Sequence, residues 1–195
     1  MSIKIHIYLI LMSAYMFAIG KIETFAYFYL FVIMHELSHI LVALILKVDV
    51  KEIELLPIGI TAKYERNSSL VRELIISLAG PLASFLFTYL FNSETYKLMN
   101  LVIALFNLVP IYPLDGGRII RCVCGILFGK FRGKKISLVI TKIFLIILVL
   151  LSLVVATFSK NYYLIILVFY VFCIAKEEIK KEQFYGIINY LQIDE

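Results

Sequence analysis

Five consecutive residues carry the chain's clearest chemical pattern: His35, Glu36, Leu37, Ser38 and His39. Histidines four apart lie on one helical face about one turn apart, where their imidazoles can converge on a single metal ion. Glu36, beside the first of them, is placed to take a proton from an attacking water. H-E-x-x-H on a helix is the signature of zinc-dependent peptide hydrolysis. A catalytic zinc normally takes three protein ligands and leaves one position open. Only three histidines exist, and His6 stands apart from any second ligand. The position six residues after His39, where an extended pattern would place a third histidine, is Ile45. Carboxylates remain, and Asp115 lies at the edge of an apolar segment beside a kink, in Asn107-Leu-Val-Pro110-Ile-Tyr-Pro113-Leu-Asp115-Gly116-Gly117-Arg118. Asp115 is a candidate third ligand, or else the cap of a helix beginning near Gly116.

The elements that must position these groups are membrane helices. Of 195 residues, 62% are hydrophobic and 17% charged, with mean hydropathy +0.95. A soluble domain is roughly 45–50% apolar and about a quarter charged. The composition therefore predicts an all-α polytopic membrane protein. Apolar stretches near residues 5–20, 25–46, 70–91, 98–114, 136–158 and 161–175 predict six spans. The first is read as a retained anchor, because it lacks a convincing cleavage site and runs on into the others. One domain over 1–175, with its motif core at 25–118, and a short cytosolic tail at 176–195 complete the expected organisation. His35, Glu36 and His39 fall mid-way along the second span, where ionisable groups are costly and mark functional sites.

Charge placement orients the spans. Lys47, Lys51, Lys63 and Arg66 follow the second span, Arg118 through Lys135 follow the fourth, and Lys176, Lys180 and Lys181 follow the sixth. The opposite turns hold only Lys21, Lys97 and Lys160. That asymmetry places both termini in the cytosol. It also brings His35, His39 and Asp115 to similar depth near the inner face. The net charge of +5 thus reports topology and excludes the nucleic-acid partner it would suggest in a soluble chain. The basic stretch Arg118–Lys135 is expected to rest on the anionic cytosolic leaflet. Cys122, Cys124 and Cys173 make no disulfide framework.

Two further segments stand out. Residues 47–64 alternate in a strand-like period about the turn signal Pro57-Ile-Gly59, predicting a small membrane-associated β-hairpin. It is either a surface loop or a template for an extended peptide. Ala79-Gly80-Pro81-Leu82-Ala83-Ser84 interrupts the third span with small residues, which serve helix packing.

HELSH in one span, with Asn107-x-x-Pro-x-x-Pro-Leu-Asp-Gly-Gly-Arg118 in a later one, resembles the site-2 protease family of intramembrane zinc metalloproteases, most closely its sporulation members. The resemblance covers roughly residues 20–135. It implies one zinc ion held by His35, His39 and Asp115, Glu36 as catalytic acid/base, and Asn107 facing the site. With Asn107, Pro110, Pro57 and Gly59 are candidate substrate-binding residues. It implies a membrane-associated protein substrate, which for sporulation members is the pro-form of a mother-cell sigma factor, and regulatory membrane partners. It implies a bacterial cell membrane, or the forespore outer membrane. Two features depart from the family pattern. Ser84 stands where many relatives carry Asn, and where many sporulation members continue into a nucleotide-sensing CBS domain, residues 176–195 are expected to be a short charged tail.

The expected reaction is hydrolysis of a peptide bond near the cytosolic face. A metal-ion transporter using the same ligands is the alternative from another class, but it calls for a second polar site or an aligned polar stripe along a path, and the spans show mostly single hydroxyls and tyrosines and no inverted repeat. An inactive membrane scaffold is the third, and the intact Glu36 argues against it.

Overall fold

The computed structural model describes residues 2–5, 13–14, 16–48, 50–56, 59–64, 69–159, 165, 168–177 and 179–180. The chain forms two compact units, Met1–Asn107 and Leu108–Glu195.

The first unit is built on α1 (Ile22–Ile45), a helix without Gly or Pro. Its 24 residues would run roughly 36 Å, enough to cross a bilayer core of about 30 Å. Its buried residues, Phe31, Val32, His35, His39 and Ala43, recur at helical spacing and form one face. α2 (Leu70–Leu90) begins at Ser69, whose Oγ accepts the Arg72 N–H across 3.3 Å, with Glu73 in the first turn. α3 (Glu94–Asn107) packs against both α1 and α2. An aromatic cluster ties these helices together at one end. Phe31 meets Phe91 and Tyr96 edge-on at 5.1 and 5.6 Å between centroids, and Tyr27 lies 4.8 Å from Tyr96. Further along α1, Ala43, Val48 and Ile76 make a second buried cluster.

Beside α1 lies a three-stranded sheet of β1 (Ser2–Ile5), β2 (Val50–Leu56) and β3 (Gly59–Tyr64), in the order β1-β2-β3. β1 pairs with β2 in parallel, and β2 with β3 antiparallel, Leu56 opposite Gly59. β3 contacts α1.

The second unit contains α4 (Asp115–Phe128) and α5 (Lys130–Ser159), packed together across a turn at Gly129, whose φ of +80° suits glycine. A side chain on Gly133 would strike the Cys124 carbonyl, so the two helices approach to backbone distance beside the turn.

Among the described residues, three helices are long and apolar enough to cross a membrane: Ile22–Ile45, Leu70–Leu90 and Lys130–Phe158. Three sequence expectations change. The fourth apolar stretch is helical only to Asn107, because Pro110 and Pro113 cannot continue a helix. The basic stretch at 115–135 is two helices, since its Lys and Arg are good helix formers and only Gly129 breaks it. Ala79–Ser84 does not interrupt its span. Pro81 sits inside a continuous α2, as membrane helices tolerate when neighbours satisfy the freed backbone groups. His6, Pro57 and most of 5–12, 160–167 and 181–195 lie outside the described residues.

Candidate metal centre

His35 and His39 are each 1% exposed, set on α1 between the aromatic cluster and the Ala43–Val48–Ile76 cluster. Their rings stand edge to face, with centroids 4.9 Å apart. Their Nε2 atoms lie 3.3 Å from each other. Two ligands about 2.0–2.1 Å from a tetrahedral zinc would be separated by about 3.3–3.4 Å. The pair therefore fits the ion its spacing predicts.

α2 fixes both rings from behind. His39 Nδ1 donates to the Ile76 carbonyl across 2.6 Å. A carbonyl only accepts, so the proton sits on Nδ1 and the neutral ring offers a bare lone pair at Nε2. His35 Nδ1 lies 2.8 Å from Ser84 Oγ, a contact that orients its Nε2 in the same way. Outer partners of this kind set the tautomer and basicity of metal-binding histidines. With His35 Nδ1 donating to Ser84 Oγ as His39 Nδ1 does to Ile76, each Nε2 would offer a lone pair to one cation between them.

Gly80 supplies the space. A Cβ there would collide with Nε2 of His39 and approach Nε2 of His35 to 2.6 Å. Sequence reasoning favoured packing over function for the Ala79–Ser84 stretch and gave no site role to two residues that shape this centre. Glu36 follows His35 on α1, half-buried. Ser38 turns away from the chemistry and donates to the Met34 carbonyl across 2.8 Å.

The remaining candidates have the following positions. Asn107 closes α3, half-buried, and its Nδ2 donates to the Ile103 carbonyl across 3.0 Å. Gly59 opens β3. Pro110 is half-buried in the non-helical stretch 108–114.

In the second unit, Asp115 is the first residue of α4 and 6% exposed. The cap position belongs to Leu114, whose side chain makes no capping bond, so Asp115 is not the helix cap. The preceding turn folds back over this helix start. Leu114 N–H donates to the Ile111 carbonyl at 2.8 Å and Gly117 N–H to the Leu114 carbonyl at 3.1 Å. A Cβ on Gly116 would strike the carbonyls of Leu108 and Val109, and one on Gly117 would lie 2.7 Å from the Ile111 backbone. The Gly116-Gly117 pair thus permits the fold-back that places a carboxylate in a buried position.

The model of Peptidase family M50 matches residues 23–96 and 93–151, a stretch that includes HELSH, Gly80, Ser84 and Asp115. A zinc metalloprotease of Methanocaldococcus jannaschii is 35% identical over 162 residues, 75% of this chain and 46% of that protein. Stage IV sporulation protein FB of Bacillus subtilis is 30% identical over 134 residues, 62% of this chain and 46% of that protein. The chain thus spans a little under half the length of either relative. The solved site-2 protease from Methanocaldococcus jannaschii superposes with a TM-score of 0.68 at 30% identity, covering 91% of this chain and 90% of that one.

Proposed function

This chain belongs to peptidase family M50, the site-2 proteases, and we propose that it is an intramembrane zinc metalloendopeptidase cleaving a membrane-associated protein. The observation that carries the reading is the pair of buried Nε2 atoms 3.3 Å apart, one residue from Glu36, on a helix apolar enough to span a bilayer. Asp115 is the proposed third ligand, which would give two imidazoles and one carboxylate, each of them buried. Two histidines and a carboxylate match the ligand chemistry of hydrolytic zinc sites and leave a position free.

Zinc, when bound, polarises the peptide carbonyl and makes water a nucleophile near neutral pH. The protein's own groups do the rest. Glu36 accepts the proton of the attacking water and returns it to the leaving amine. Ile76 and Ser84 hold the two rings, and the second N–H of the Asn107 carboxamide would donate to the substrate carbonyl or the developing oxyanion. A helical substrate hides its carbonyls in internal hydrogen bonds and must unwind before attack. β3 is an edge strand, to which an extended peptide can add.

Six spans with both termini cytosolic follow from the basic residues, which place the chemistry near the inner face. The residues 1–175 form the protease domain on this reading, and Pro110, Pro57 and Gly59 are the further residues proposed to bind substrate. Similarity to the sporulation protein makes a membrane-bound pro-sigma factor in the forespore outer membrane the specific substrate to try first.

The test pairs two variants in bilayers with a membrane-tethered substrate. Glu36→Gln is expected to retain zinc and lose cleavage, and Asp115→Ala to lose both. Cleavage by Glu36→Gln at the wild-type rate would overturn the assignment, and full zinc content in Asp115→Ala would remove it from the ligand set.

A further inference from the structure

The second unit carries a surface that peptide hydrolysis does not use. Between Asp115 and Glu177 the sequence has no Asp or Glu, yet it has cations clustered at the turn joining α4 to α5. Lys130, Arg132 and Lys135 are all exposed there. So are large apolar side chains: Leu127 is 68%, Phe128 53% and Phe131 57% exposed.

The backbone explains why both kinds of residue share one tip. Gly129 reverses the chain, and Gly133 lets α5 close onto the Cys124 backbone. The inward face beside the turn is therefore filled by Gly133 and Ser137, both buried, and the larger neighbours are forced outward. α5 is also one of the helices apolar enough to span, and its span begins at Lys130. The tip thus falls at the end of the bilayer core, where apolar side chains meet acyl chains and cations meet phosphates.

We propose that the α4–α5 turn, through Lys130, Arg132 and Lys135 flanked by Leu127, Phe128 and Phe131, binds the headgroups of anionic phospholipids. Charge complementarity decides the occupant. Acidic residues of the same sequence segment cannot neutralise these cations, because there are none, and a soluble anion would gain nothing from the exposed Phe and Leu. An anionic lipid satisfies both parts of the tip. α4 runs from this tip to Asp115, over roughly 21 Å of helix, so lipid binding fixes one end of the element whose other end holds the candidate carboxylate ligand. The inference rests on α5 crossing the bilayer and is independent of proteolysis.

The test reconstitutes the full chain in phosphatidylcholine bilayers containing trace spin-labelled phosphatidylglycerol or phosphatidylcholine, and compares the motionally restricted fractions. The wild type is expected to prefer phosphatidylglycerol by at least about five-fold, the contribution of a single cation close to an anionic leaflet. The variant K130Q/R132Q/K135Q should lose most of that preference, whereas Lys97→Gln, on α3, should keep it. A wild-type-like helical circular dichroism spectrum and unfolding transition in detergent confirm that each variant is folded, and F128S/F131S, which leaves the charges in place, should weaken the preference without abolishing it. Equal restriction of the two lipids by the wild type, or an unchanged preference in the triple variant, would overturn the proposal. Loss of the preference to inorganic phosphate, but not to chloride at matched ionic strength, would also overturn it by assigning the site to a free anion. None of these readouts uses cleavage, so failure here leaves the protease reading standing, and loss of that reading leaves this one testable.

Discussion

His35 Nδ1 stands 2.8 Å from Ser84 Oγ, and through that one contact α2 sets the direction of a ring carried by α1. The partner ring is held by a backbone carbonyl, which no substitution removes, so Ser84 is the point at which the centre can be loosened alone. Ser84→Ala is expected to lower zinc affinity about 10–100-fold, the usual cost of losing an outer-shell partner. Ser84→Asn, which restores a hydrogen-bonding side chain, should recover much of it. Chelator competition measures both, and equal affinity in wild type and Ser84→Ala would show that the contact does not orient the ring.

Gly80→Ala separates fold from site. In a helix interior, alanine is favoured over glycine by about 1 kcal/mol, so the substitution should not weaken α2 by propensity. Its methyl group would nevertheless fall against both Nε2 atoms. We expect a helical protein that withstands detergent unfolding at least as well as the zinc-free wild type, yet carries little zinc. Normal zinc content in Gly80→Ala would mean the rings can retreat, and the centre would then be less tightly shaped than its distances indicate.

How far this centre was legible depended on whether geometry or context decides each residue. His35 and His39 were legible because the pitch of any α-helix puts residues four apart on one face. Ser84 was not, because a hydroxyl in an apolar helix has a second common use, bonding back to its own helix. Thr88, four residues on in α2, does that, donating to the Phe85 carbonyl across 2.6 Å. Residue type cannot separate the two cases; only the position of His35 on another helix does. Hydropathy similarly ran past the true end of α3, since Leu108, Val109 and Ile111 are apolar whether or not Pro110 and Pro113 allow a helix. The cation-rich stretch at 130–135 hid the start of α5 for the opposite reason: charge suggested a loop where helix propensity prevailed.

Gly116→Ala probes the other half of the ligand set. The methyl group would meet the carbonyl oxygens of Leu108 and Val109, which are backbone and cannot swing aside. The turn must open, at a cost of about 1–3 kcal/mol for overpacking. Zinc content should fall although Asp115 itself is intact, and limited proteolysis should begin to cut within 108–114. Wild-type zinc binding together with unchanged proteolysis would show that the fold-back of this turn does not govern Asp115.

Thiol reactivity tests the packing of α4 without reference to catalysis. Cys122 is fully buried, and burial pushes its thiol above the ordinary range, with Arg121 and Arg118 pulling in the other direction. The thiolate is the reactive form, so a raised pKa and lack of access act together to slow alkylation. Cys124 is also buried, whereas Cys173 is exposed. In detergent at pH 8, a small maleimide should label Cys173 first, leaving Cys122 unmodified until the protein is denatured. Raising the pH should increase labelling of Cys122 only above the usual thiol range. Because Gly133 packs on the Cys124 backbone, Gly133→Leu should force α4 and α5 apart and expose both cysteines. Mass spectrometry of the labelled peptides reads all three sites at once. Rapid labelling of Cys122 in the folded wild type would contradict its burial, and slow labelling in Gly133→Leu would show that the helix pair closes without the glycine contact.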